Sequence, residues 1–228
     1  MDPYAFMRAC RPYFEDYVTR STYHSNAIEG NTISLPETYE ILWNKDTMRI
    51  SATSRELYEA INHKYALERA MEAPDEPLSE RLIKDIAVLI NRNVDEIRGY
   101  RSTQVMLRGA EHIPPSPAEV PLMMMQLVAD VNTMESDPFL RAATLHIRFE
   151  RIHPFPDGNG RIGRILINRE LMRAGEPAAV IAKDSRATYF QPLANCDYDG
   201  LAEMLRELSQ AEQTRMQGFA DEAGIALS

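Results

Sequence analysis

Helix-start signals recur along this chain and leave little room for a sheet. In "SLPETYEILW", Ser34 stands three residues before Glu37, a pairing in which each side chain satisfies the other's backbone N–H. "SPAEVPLMMMQLV" repeats the pattern with Ser116 and Glu119, and Pro117 occupies a first-turn position where its missing N–H costs nothing. "DPFLRAATLHIRF" opens on Asp137 and Pro138 in the same manner. Leu82, Ile83, Ile86, Ala87, Leu89 and Ile90 form an apolar face at helical spacing, and Asp199 is expected to cap a late helix with Leu201, Leu205 and Leu208 inward. Strand-like alternation is best developed at 104–113, "QVMLRGAEHI". There Val105 and Leu107 share a side, Gly109 can turn, and Ile113 resumes before Pro114 and Pro115. The predicted fold is all-α with one short β-hairpin: an N-terminal helical region at 1–54 and a helical core at 55–228. Tyr39, Trp43 and the run Met123–Met124–Met125 are expected in the core, and the helix at 36–44 also suits a contact between copies of the chain.

Composition narrows the partners. A formal net charge of -9 argues against broad nucleic-acid binding, which needs surplus lysine and arginine. No apolar run approaches the ~18 residues of a membrane span. The N-terminal stretch is broken by Asp2, Arg8, Glu15 and Asp16, unlike a signal peptide. Cys10 and Cys196 form no disulfide framework, so the expected compartment is reducing and cytoplasmic.

The chemistry concentrates in "HPFPDGNGRIGR", residues 153–164. The residue before Pro154 is pushed out of the helical region, so a helix over 138–151 should end near Ile152. The loop's prolines and glycines forbid helix and strand, and a new helix should run from about Gly160 to a stop at Gly175. A glycine-rich loop entering a helix N-terminus is an anion cradle. Gly158 and Gly160 let backbone N–H groups approach a phosphate, and Asn159 offers a neutral donor. Arg161 and Arg164, ~5–6 Å apart on one face, present two guanidinium forks. Asp157 is a carboxylate suited to Mg²⁺ on phosphate oxygens, and His153 stands at the lip, suited to taking a proton from an incoming hydroxyl. Phe155 should anchor the loop to the core. A histidine beside proline is ordinarily structural, and Gly-Asn-Gly alone is ordinarily a turn. Two arginines at the positive end of a helix are unfavourable unless an anion is expected.

This stretch resembles the HxFx[DE]GNGRxxR signature of Fic domains at every fixed position. "GYRS", "PPSPAEVP", "LMRAGEP" and "SRATYFQPL" around it agree, and the resemblance covers about 55–210. It implies a protein adenylyltransferase using ATP and Mg²⁺. His153 would deprotonate a Ser, Thr or Tyr hydroxyl of a target protein, the chain's own surface included, and Asp157 would hold the metal. Gly158, Asn159 and Gly160 would line the cradle, and Arg161 and Arg164 would take the β- and γ-phosphates. Tyr189 would flank the adenine. The hairpin, with Val105, Met106 and Leu107, would be the flap that pairs with the target's backbone.

"SNAIEGN", residues 25–31, is similar to the same family's inhibitory motif, with Ser25, Glu29 and Gly30 at its fixed places. A Ser and a Glu four apart on a helix are ordinarily solvent-facing. The resemblance implies instead that Glu29 pairs with Arg164 and blocks the γ-phosphate's seat. Two further readings share these residues: a hydrolase removing AMP from protein with the help of Glu29, and a non-catalytic nucleotide-binding module.

Overall fold

The computed structural model describes residues 2–44, 50–106, 112–135 and 137–226. Among them are ten α-helices and no strand. They are α1 (Pro3–Ala9), α2 (Arg11–Ile28), α3 (Leu35–Tyr39), α4 (Ser54–Ala70), α5 (Glu80–Ile90), α6 (Val120–Thr133), α7 (Pro138–Ile152), α8 (Asn159–Arg173), α9 (Arg186–Asn195) and α10 (Tyr198–Ala223). A single π-helical turn, Glu40–Asn44, prolongs α3.

The capping signals act largely as expected. Ser34 and Glu37 form the full reciprocal box, Thr53 and Glu56 form another at α4, and the Asp137 carboxylate accepts from Phe139 and Leu140 N–H at 2.9 and 3.2 Å. At Ser116 half the box forms. The Ser116 N–H donates to Glu119 Oε2 at 2.8 Å, but the hydroxyl donates to the same oxygen at 2.5 Å instead of accepting from the backbone. Residues 117–119 are therefore a turn, and α6 begins at Val120. The cap of α10 is Asp197, not Asp199, its carboxylate accepting from Gly200 N–H at 2.8 Å.

At the centre lies α8, buried on almost every face and packed against α7 across the loop that joins them. α10 and α6 cover α7, while α4 and α5 cover the other side of α8 and α2 lies on α4. A helix in that position should be apolar all round, yet α8 reads "NGRIGRILINRELMR". Its buried charges are paired: Glu170 takes Arg169 at 2.7 Å and Arg173 at 2.9 Å.

Three expectations fail for geometric reasons. The limbs of the hairpin at 104–106 and 112–113 are not strands, and side chains join this segment instead, Gln104 Nε2 donating to the Pro114 carbonyl at 2.9 Å. Leu107 and Gly109 lie outside the described residues. Of Met123–Met125 only Met124 is core, because consecutive residues fan around a helix by ~100° each. Tyr39 is 40% exposed, and Trp43 sits half-buried between α2 and α4, its Nε1–H donating to Thr19 Oγ1 at 2.8 Å and Lys64 Nζ 3.8 Å above its ring.

No helix among the described residues is long and apolar enough to cross a membrane. The N-terminal helices share one core with the rest, Phe6, Tyr13 and Tyr17 lying among residues of α4, α5 and α8. A charge cluster reinforces this junction. Arg20 donates to both oxygens of Glu212 on α10 at 3.0 and 2.6 Å, Tyr13 donates to Glu212 at 2.9 Å, and Arg215 pairs with Asp16. Glu212→Ala leaves Arg20 with Asp16 alone, 2.8 Å from its Nε, and strands the Tyr13 hydroxyl. It should cost about 3 kcal/mol, read as a lowered urea midpoint, whereas Glu203→Ala on the exposed side of α10 should leave the midpoint within error.

Candidate functional site

The loop between α7 and α8 is folded from the inside. His153 leaves the helix as the following proline requires, but into the left-handed region (φ 49°, ψ 61°) instead of an extended one. What holds it there is Arg101. Its guanidinium is buried and donates to the carbonyls of His153 at 2.8 Å, Ile152 at 3.4 Å, Thr103 at 3.0 Å and Pro115 at 2.5 Å, and its backbone N–H donates to Pro154 O at 2.8 Å. One cation thus satisfies the carbonyls that end α7 and those of the neighbouring segment, at the cost of a pKa lowered by burial. Sequence reasoning missed Arg101, because a buried arginine in a coil leaves no periodic mark.

Phe155 is fully buried against Tyr100 and Phe149, ring centroids 5.5 and 6.3 Å away, and anchors the loop. Asn159 closes it from the other end. Its amide accepts from Phe155 N–H at 3.0 Å and donates to Phe155 O at 2.9 Å. One of its two N–H groups is thereby given to the loop. Gly158 has φ +81°, and a Cβ there would stand 2.7 Å from Ile90 Cγ2 on α5.

Every charged side chain of the loop meets its opposite. Arg161 is buried with Nη1 3.2 Å from Glu59 Oε1 and Nη2 3.4 Å from Asp157 Oδ1. Glu59 on α4 also accepts from Asn31 Nδ2 at 2.9 Å and from Arg55 Nε at 3.1 Å. Asp157 pairs through Oδ2 with Arg55, and its Oδ1 accepts from Gly158 N–H at 2.6 Å. Arg164 donates Nε to Ser25 Oγ at 3.0 Å and Nη2 to Ser25 O at 2.9 Å and Glu29 Oε1 at 2.7 Å. Burial works against its charge, but Tyr189 and Glu29 outweigh burial and hold its pKa above the ordinary value.

Glu29 caps α2, and Gly30 (φ +101°) ends it. Two cations serve this helix end, Arg164 on the Ser25 carbonyl and Arg186 on the Ile28 carbonyl at 2.9 Å, as the negative pole of a helix favours. The Glu29 carboxylate then lies over the first turn of α8, where a Cβ on Gly160 would collide with Oε1. The C-terminus of α2 therefore closes on the N-terminus of α8. Glu29 and Arg164 are 135 residues apart, so helical spacing is silent on this junction and only the motif resemblance points to it.

Tyr189, expected beside a base, is fully buried beneath Arg164 and has no open face. Its hydroxyl meets His146 Nε2 at 2.5 Å and Arg164 Nη1 at 3.5 Å. The ring supports Arg164 because α9 turns it inward. His153 Nδ1 is 3.7 Å from Glu150 Oε2. Of the expected flap, Val105 is half-buried and Met106 is 87% exposed, while Leu107 lies outside the described residues. No group of three or more metal-ligating side chains occurs among the described residues.

Two stability tests follow. Burial lowers His63 to about 3, with Arg164 and Arg161 adding to it, and lowers His146 to about 4 against the pull of Glu150. Both folded values lie below the ordinary 6.5, so the unfolded chain takes up protons first. Stability should be full above about pH 6.5 and fall toward pH 4, by up to about 1.4 kcal/mol per pH unit for each histidine. Urea melts across that range check the sign. Gly158→Ala combines a left-handed backbone with a clash on Ile90 Cγ2 and should cost about 2 kcal/mol; Ile90→Ala removes that atom, so the double variant should cost less than the sum of the two single changes.

Residues 77–171 match the model of the Fic/DOC family. A protein adenylyltransferase Fic of Drosophila grimshawi is 38% identical over 186 residues, which span 76% of this chain and 37% of the relative. The chain thus covers little more than a third of that relative's length. Among solved structures, a Fic domain containing signalling protein from Bacteroides thetaiotaomicron VPI-5482 superposes with a TM-score of 0.80 at 25% identity, over 99% of this chain and 98% of that one. Fic-1 from C. elegans gives 0.78 at 28% identity, over 92% and 64%. With the signature at 153–164 intact and the same helical architecture around it, the chain belongs to the Fic family.

Proposed function

We propose that this chain is a self-restrained protein adenylyltransferase, which moves AMP from ATP to a hydroxyl of a protein and is held back by Glu29. One observation carries the restraint: the Glu29–Arg164 pair, 2.7 Å long, lies over Gly160 at the head of α8. A carboxylate seated on an arginine at a helix N-terminus occupies the place of a terminal phosphate, with the same charge sign and the same donors.

In this reading Arg161 and Arg164 take the β- and γ-phosphates once their carboxylates yield. The backbone at Gly158 and Gly160 lines the cradle. His153 removes the proton of the incoming hydroxyl, whose oxygen attacks the α-phosphorus as pyrophosphate leaves. While Glu29 holds Arg164, the triphosphate sits displaced, and an error of ~1 Å in the reacting atoms can cost ~10²-fold in rate. The exposed Met106 and the non-helical backbone at 104–106 suit edge pairing with a target peptide.

Mg²⁺ fits this donor set as an ion shared with the nucleotide. Magnesium commonly takes one or two carboxylates plus phosphate oxygens, and Asp157 is one carboxylate, 35% exposed, at the mouth of the cradle. Bound there, the ion would neutralise phosphate charge. Arg55 must release Asp157 Oδ2 for it.

Glu29→Gly should raise transfer of labelled AMP to the protein itself or to added protein by ~10-fold or more. Arg164→Ala should not mimic it, and the double variant should behave as Arg164→Ala alone. His153→Ala in the Glu29→Gly background should lower transfer by ~10²–10⁴-fold with ATP binding retained. A second reading, hydrolytic removal of AMP from protein, draws on one fact: Arg164 engages only Oε1 of Glu29. That activity should vanish in Glu29→Gly, so both reactions are to be measured on one preparation. Neither a gain in transfer nor a loss of hydrolysis would leave Glu29 an ordinary helix residue.

A further inference from the structure

Glu150 belongs to no part of the signature, yet it sits one helical turn before His153 on the same face of α7. Its Oε2 is 3.7 Å from His153 Nδ1. That nitrogen is buried, while the histidine side chain as a whole keeps 20% of its exposure, so the open edge of the ring carries Nε2. We propose that Glu150 is the positioning residue of the base: its carboxylate holds the Nδ1–H of His153 and leaves Nε2 free to take the proton of the incoming hydroxyl. The identity of the reaction rests on the adenylyl-transfer reading; the ring geometry does not.

A second histidine stands behind the carboxylate. One turn further back, His146 is buried with Nε2 at 2.5 Å from the Tyr189 hydroxyl. Arg164 Nη1 donates to that hydroxyl, so its proton is assigned to the bond with His146 Nε2, and His146 carries its own proton on Nδ1. Glu150 therefore has imidazole neighbours one turn to each side. Opposite them stands Gly163 of α8, where a Cβ would lie 3.5 Å from Glu150 Oε1 and collide with the His146 ring. Burial alone would push the Glu150 carboxyl up. His153, His146 and Arg164 together bring it below its ordinary value, so it is ionised at neutral pH. The 3.7 Å separation is longer than a closed hydrogen bond, and such bonds commonly tighten only around the substrate.

In the step itself the hydroxyl proton passes to Nε2 as the oxygen bonds to the α-phosphorus. The bond from that phosphorus to the bridging oxygen breaks, and its electron pair leaves with pyrophosphate. The ring becomes an imidazolium with N–H on both nitrogens, the Nδ1–H facing a negative carboxylate. This is the generalised logic of a base oriented by a third group.

The test is the tautomer. In ¹⁵N-histidine-labelled protein, with His153→Ala assigning the signals, long-range ¹H–¹⁵N spectra above the histidine titration should find His153 protonated on Nδ1. Glu150→Ala should move it toward the Nε2–H form. Glu150→Gln, whose amide oxygen still accepts, should keep the Nδ1–H form. In the Glu29→Gly background, Glu150→Ala should lower kcat for labelled-AMP transfer by ~10- to 10²-fold at unchanged KM for ATP, with Glu150→Gln intermediate. An Nε2–H tautomer in the wild type, or no change of tautomer in Glu150→Ala, overturns the assignment. Should Glu150→Ala fail to fold, the wild-type tautomer alone decides. A correct tautomer in a protein that transfers no AMP leaves this inference standing and removes the adenylyl-transfer reading instead.

Discussion

The fold turns on where the charge of Arg164 goes. A guanidinium on the second turn of α8 lies near the positive pole of its own helix, and burial removes the water that would otherwise screen it. The chain answers with the opposite pole of another helix. The last turn of α2 brings a carbonyl, a hydroxyl and a carboxylate to the one side chain. α2 must therefore lie across the head of α8, and the packing of the N-terminal helices onto α4 and α10 is what allows it.

The same logic extends through the loop. Arg161 answers to Glu59, Asp157 to Arg55, and Asn31 ties Glu59 to the turn that follows Glu29. Each arginine is paired with a carboxylate from outside the signature. On the proposed reading, phosphates would take the place of these carboxylates on Arg161 and Arg164.

Much of this was legible in residues 153–164, because the local rules and the chemistry coincide there. Proline ends α7, glycine turns the chain, and charge gathers where a helix begins. The helical class was legible for the same reason, from caps at Ser34 and Asp137 and the apolar face of α5. What was not legible is nonlocal. Arg101 satisfies carbonyls about fifty residues away, and nothing in "GYRS" announces that. Asn159 is expected as a neutral donor, and its carbonyl and one N–H close the loop on Phe155; Tyr189, which the resemblance sets beside an adenine, supports Arg164 from below. In each case a polar side chain is consumed by the backbone or by a neighbour that only the packed structure supplies. The strand expected near 104–106 failed differently: two alternating apolar residues fit a pleat, but side-chain links to 114 and 115 hold the segment without one.

The far end of α2 has a mechanical consequence. Its first half is clamped to α10 by the buried Tyr13 and the half-buried Asp16 and Arg20, while its last turn bears on α8. The helix is a cantilever, fixed at one end and loaded at the other. Lifting its tip would unwind the turn that carries Ser25, Asn26 and the buried Ile28, a local event that leaves the clamp intact. Dislodging the whole beam would open the core. Excising the segment is therefore a different perturbation from bending it, and a shortened chain reports on the foundation more than on the tip.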